Sequence, residues 1–99
     1  MSDTLNELIA AEVRQARDHV AQAEALSSGG PAADLHRAVV HLDLFIEGGP
    51  GHHLSGAENE VVSVVVGGTE GKRGTVHLAE ALIRLGRASA FRQQAFASI

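Results

Sequence analysis

Six histidines stand in this 99-residue chain: His19, His36, His41, His52, His53 and His77. Imidazole titrates near neutral pH and is the commonest protein ligand for transition metals. Their spacing decides which of them could act together. On a helix turning about 100° per residue, His36, Asp43 and Glu47 stand at i, i+7 and i+11 and lie within about 40° of one another. His52 and His53 follow a Gly-Gly-Pro-Gly turn and can fold back toward Glu47. His36, Asp43, Glu47, His52 and His53 are thus the candidate metal ligands. The set lacks the Glu-x-x-His pairs of di-iron bundles and the His-Glu-x-x-His of zinc proteases. A solvated polar face opposite an apolar seam accounts for the same residues, and no cofactor is implied. His77, Glu80 and Arg84 recur at i, i+3 and i+7, the spacing of surface ion pairs. His41 flanks an apolar seam beside Leu44 and Phe45, a placement that suits packing and admits a pH-dependent interface.

The stretch Gly67-Gly68-Thr69-Glu70-Gly71-Lys72-Arg73-Gly74-Thr75 invites comparison with a phosphate loop. That loop needs Gly, four residues, then Gly-Lys-Ser/Thr, so that backbone N–H groups wrap the phosphates and the hydroxyl reaches magnesium. Here only three residues separate Gly67 from Gly71, and Arg73 replaces the hydroxyl. An exposed loop kept solvated by Lys72 and Arg73 is the plainer reading. The chain has no cysteine, hence no disulfide, thiolate ligand or thiol nucleophile. No Gly-x-Ser-x-Gly elbow occurs, and the carboxylates are scattered along helix faces. A domain this small has little room for a catalytic pocket, so the chain reads as a non-enzyme.

Ten of the eleven glycines fall in clusters at 29–30, 48–56 and 67–74. Glycine collects where helices stop and turns begin. The clusters cut a single domain, 1–99, into segments 1–28, 31–47, 54–66 and 75–99. In the first, Thr4 and Glu7 have capping-box spacing, and Leu5, Ile9, Val13, Ala16, Val20 and Ala23 form one helical stripe. In the second, Pro31 suits a first helical position, and Leu35, Ala38, Val39, Leu42, Phe45 and Ile46 form the seam. The short link at 29–30 predicts an antiparallel hairpin of the two. In the third, Ser55 and Glu58 resemble a capping box, whereas the valine-rich run 61–66 has the β-branched character of a strand. A short helix is favoured there, with a strand over 60–66 as the alternative. The fourth runs from Thr75, as N-cap, to about 97, with Val76, Ala79, Leu82, Ile83, Gly86 and Ala90 as its stripe. The expected fold is all-α: a small bundle of three to four helices with Gly-rich connections.

Charge is unevenly placed. The net charge is −4, but residues 1–66 hold ten acids against three bases and residues 67–99 two acids against five bases. Internal balance, with the fourth segment beside the acidic ones, is the simplest consequence. Lys72, Arg73, Arg84 and Arg87 otherwise form a basic surface for an acidic partner. An acidic chain with only three aromatic residues is a poor fit to nucleic acid. The longest apolar run is four residues, 8–11, so no membrane span is expected, and Asp3 and Glu7 near the start are unlike a signal peptide. A cytoplasmic protein follows as the expectation.

Apolar residues are in surplus. The valines Val61, Val62, Val65 and Val66 point to more than one side of their segment, and Phe91, Phe96 and Ile99 crowd the chain end. Apolar surface of this kind demands a cover. The sequence therefore reads as a non-catalytic protein–protein interaction or assembly module, an adaptor, structural subunit or small inhibitor, that associates with itself or with another protein. A histidine/carboxylate metal-binding bundle is the competing reading, and a nucleic-acid-associated regulator the third.

Overall fold

Apolar residues at steps of three and four fold as four α-helices: α1 (Ser2–Ala25), α2 (Gly29–Ile46), α3 (His52–Gly67) and α4 (Gly71–Ala97). The structure, a computed structural model, describes residues 2–68 and 71–97. Cross-helix pairs fix the directions. Glu24 meets His36 and Arg17 meets Asp43, so α1 and α2 are antiparallel. Arg37 meets Glu60 and His41 meets His53, so α2 and α3 are antiparallel. His19 meets His77 and Glu12 meets Arg84, which runs α4 antiparallel to α1. The result is an up-down-up-down bundle of 42 × 21 × 18 Å. It closes unevenly: α1 and α4 make the most extensive contact, while α3 and α4 touch little.

The core is one cluster fed by all four helices. α1 contributes Ile9, Val13, Ala16, Val20 and Ala23, the stripe read from the sequence, with Leu5 only partly covered. α2 buries Leu35, Ala38, Val39 and Leu42, and Phe45 and Ile46 pack half-buried against them.

α3 is a helix through the whole valine run, and the described residues contain no strand. Val61 and Val64 continue the buried face begun by Leu54 and Ala57, so burial at helical spacing overrides β-branched propensity. Several predicted boundaries move. Thr4 lies inside α1, and Ser55 lies inside α3, whose N-cap position is Gly51, without a side-chain cap. The glycines 29–30 and 71–74 are helical rather than loop. Thr75 is likewise no cap: its hydroxyl donates to the carbonyl oxygen of Gly71, 2.7 Å away, the back-bond of a Thr within a helix. Gly68 ends α3 with φ of 65°, a left-handed conformation that glycine adopts without strain.

The largest correction concerns α4. Its buried residues are Gly74, Leu78, Ala81, Leu85 and Ala88. Of the stripe predicted from spacing, only Leu82 is half-buried; Val76, Ala79, Ile83, Gly86 and Ala90 are exposed. This helix carries two apolar stripes of the same period on opposite sides. The one bearing two leucines faces the core, because those side chains bury more apolar area.

Leu85 is fully buried. Leu85→Ala should lower unfolding free energy by about 2–5 kcal/mol, through lost transfer energy and the cavity left behind. Leu8→Ala, at an exposed position, should stay within about 0.5 kcal/mol of the parent. Urea titration followed by circular dichroism measures both.

Candidate functional site

The basic residues of α4 divide into two groups. Arg84 Nη1 donates to both carboxylate oxygens of Glu12 at 3.4 Å, and its Nη2 lies 3.5 Å from Glu80. Arg87 reaches the same Glu12 carboxylate at 3.9 Å. The acidic first helix thus takes up part of the positive charge of the fourth. The Arg84 Nε–H is buried and has no hydrogen-bond partner among the described residues. Lys72 and Arg73 are exposed at the start of α4. The four basic candidates therefore form no continuous patch: two point to solvent, Arg84 pairs with Glu12, and Arg87 approaches the same carboxylate more loosely.

The apolar candidates also separate. Val61 is wholly buried and belongs to the core. Val65 and Phe91 are half-buried against it. Val62 is exposed, and Val66 is 81% exposed. Phe96 is 62% exposed near the end of α4; Ile99 lies outside the described residues. Arg92 bridges from α4 to the far end of α2. Its guanidinium carbon lies 5.6 Å from the Phe45 ring centroid and 5.3 Å from that of Phe96, within cation–π range. The guanidinium packs so closely on Gly51 that a Cβ there would collide with it. These side chains wall a cleft of about 330 Å³, floored by Ile9, Ala10 and Ile46.

Sequence reading missed the larger apolar feature, the outer side of α4. Val76 is 67% and Ile83 53% exposed, and Ala79, Gly86 and Ala90 are exposed with them. The steps are three, four, three and four, which keeps all five on one stripe. Apart from the backbone of its own helix and its chain neighbours, no atom of the described residues lies within 4 Å of where a Cβ on Gly86 would stand, so the stripe has a notch at its centre. The signal was present in the residue types, but spacing alone assigned these residues to the core.

The histidines pair across helices. His41 Nδ1 lies 2.9 Å from His53 Nδ1, joining α2 to α3. His19 Nδ1 lies 3.1 Å from His77 Nδ1, joining α1 to α4. The His52 ring sits beside that of His53, with centroids 4.1 Å apart. Desolvation, followed by the neighbouring imidazoles of His52 and His41, lowers the His53 pKa below the ordinary imidazole value. The ligand set read from the sequence does not converge. His36 Nδ1 is paired with Glu24 at 3.3 Å, Asp43 accepts from Arg17 Nε at 3.0 Å, and Glu47 is exposed. Among the described residues, no group of three or more histidine or carboxylate side chains is placed to hold a metal ion. Nor is any helix among them long and apolar enough to cross a membrane.

Glu12 holds the ionic contact between α1 and α4. Glu12→Gln should lower stability by roughly 1–3 kcal/mol, the scale of lost charge-assisted hydrogen bonds to partly buried groups. Glu7→Gln, exposed on the same helix, should change it by less than about 0.5 kcal/mol. Guanidinium titration of the two variants gives the comparison. No known protein family, curated protein or solved structure matches this chain.

Proposed function

We propose that this protein is a non-catalytic assembly module that pairs with a second copy of itself through the outer face of α4. The observation that carries this reading is the exposed stripe Val76, Ala79, Ile83, Gly86 and Ala90, on the side of α4 turned away from the bundle core. Contiguous apolar surface left in water is unfavourable, and helical spacing of three and four is the pattern by which helices cover one another.

The stripe is self-complementary in an antiparallel pairing. Set Ile83 against Gly86 of the second copy, and Ala79 meets Ala90. The Ile83 side chain then fills the notch at Gly86, and the alanines permit close approach of the two backbones. Glu80 and Arg87 flank the stripe on one edge and fall opposite each other in this register, giving two symmetric charge pairs. Arg87 is only loosely held by Glu12, at 3.9 Å, so its guanidinium can also serve the second copy. The exposed Val66 and Phe96 add apolar surface on other sides and support a role in assembly.

Two substitutions test the reading. Ile83→Asp should give a monomer by native mass spectrometry at concentrations where the parent is a dimer, with helicity retained because the side chain lies outside the core. Gly86→Leu should also weaken the dimer, although leucine is the better helix former by about 1 kcal/mol and adds apolar surface. Stronger association in Gly86→Leu would show a merely greasy surface rather than a packed seam. A parent that stays monomeric would overturn the reading outright.

A further inference from the structure

The core stripe of α4 does not stop at Ala88. Steps of four and three carry it on to Arg92 and Ala95, so a guanidinium stands where a bundle core takes an aliphatic side chain. α1 begins, and α2 and α4 finish, at this same end of the molecule. Around Arg92 the cleft of about 330 Å³ is walled by Phe45 and Phe96 and floored by Ile9, Ala10 and Ile46. Small residues, Ala10 and Ala95, leave the space that larger ones would fill.

The charge inside it is unbalanced. Three arginines of this protein are half-buried: Arg17, Arg84 and Arg92. Arg17 pairs with Asp43 and Arg84 with Glu12. Arg92 has neither a carboxylate nor a hydrogen-bond acceptor among the described residues. Its neighbours are the two phenylalanine rings and Gly51, and no carboxylate lines the cleft. Ring contacts hold the guanidinium in place but accept none of its N–H groups in a hydrogen bond. A planar fork of donors in an apolar setting matches a carboxylate. At roughly 30 Å³ for a group the size of water, the cleft has room for a carboxylate and about eight carbons of chain. We infer that this cleft binds a medium-chain aliphatic carboxylate, with the carboxylate on Arg92 and the chain along Ile9, Ala10 and Ile46. The site lies at the end of the bundle, apart from the outer stripe of α4.

The test is calorimetric titration of the full chain with hexanoate, octanoate, decanoate and dodecanoate. One equivalent should bind, and affinity should rise about fourfold per methylene as far as decanoate. Dodecanoate should gain nothing further, because its chain outgrows the cleft. Decanol, which has the chain without the charge, should bind roughly tenfold or more weakly than decanoate. Arg92→Gln should weaken decanoate by a similar factor and leave decanol unchanged. Ala95→Leu should fill the cleft and abolish both, with the helical spectrum retained. Ile83→Asp should leave the titration as it is, so the cleft is tested independently of α4 self-pairing. No saturable binding of decanoate at millimolar concentration would overturn the assignment. Decanol binding as tightly as decanoate to the parent protein would also overturn it, by showing a merely apolar hollow. Affinity that climbs through dodecanoate and survives Ala95→Leu would place the ligand elsewhere on the surface.

Discussion

The contact between the first and last helices is the constraint on which the rest of this structure depends. The chain has three aromatic residues and one methionine to fill a core, so bulk cannot close the bundle. Close approach does so instead. α1 presents Val13, Ala16, Val20 and Ala23, and α4 presents Gly74, Leu78, Ala81, Leu85 and Ala88. Small residues on both faces let the two helices lie against each other along much of their length, the most extensive contact in the fold. Interiors must be packed densely to contribute fully. Here helix proximity achieves this in place of large side chains. Glu12, paired with Arg84 and more loosely with Arg87, sets the same two helices in register and brings the acidic and basic parts of the chain together.

Binding α4 to α1 has a consequence for α3. The last two helices make little contact, and the bundle is open along that side. α3 is held chiefly by α2, through Leu54, Ala57, Val61 and Val64 on the buried face and the Arg37–Glu60 and His41–His53 pairs at the edge. The fourth helix, already satisfied on its leucine side, turns a second apolar stripe outward. A bundle closed evenly on all four sides would have less reason to leave one. The proposed self-pairing seam is thus a product of how the core is distributed, not of a motif.

Much of the fold was legible. The stripes on α1 and α2 were read correctly because each helix has one apolar face, and spacing then leaves a single choice. α4 was misread because Leu78, Ala81, Leu85 and Ala88 share their period with Val76, Ala79, Ile83 and Ala90. Periodicity identifies a stripe but not its partner. The valine run became helical because Val61 and Val64 complete the face that Leu54 and Ala57 begin, which local propensity does not register. Gly29, Gly30 and the glycines 71–74 are helical because the first turn of a helix asks little of a side chain, so glycine clusters marked the turns but not their edges. The histidine pairs escaped because their members are 12 and 58 residues apart. Once α2 and α3 are known to be an antiparallel hairpin, His41 and His53 stand equally far on either side of Glu47, and their meeting follows from the topology.

The most direct test of the central claim is the distance between two copies of α4. The chain contains no cysteine, so Gln93→Cys, at an exposed position on the outer edge of the helix, accepts a single spin label. In the antiparallel register residue 93 lies opposite residue 76 of the second copy. At 1.5 Å rise per residue, the two labels are then separated by about 26 Å along the axis. A dipolar distance near that value, abolished by Ile83→Asp, is the predicted result. A separation below about 15 Å would mean that the helices lie parallel, against the 1.5 Å-rise geometry of the proposed register. The absence of dipolar coupling between copies would mean that this face of α4 does not pair with itself.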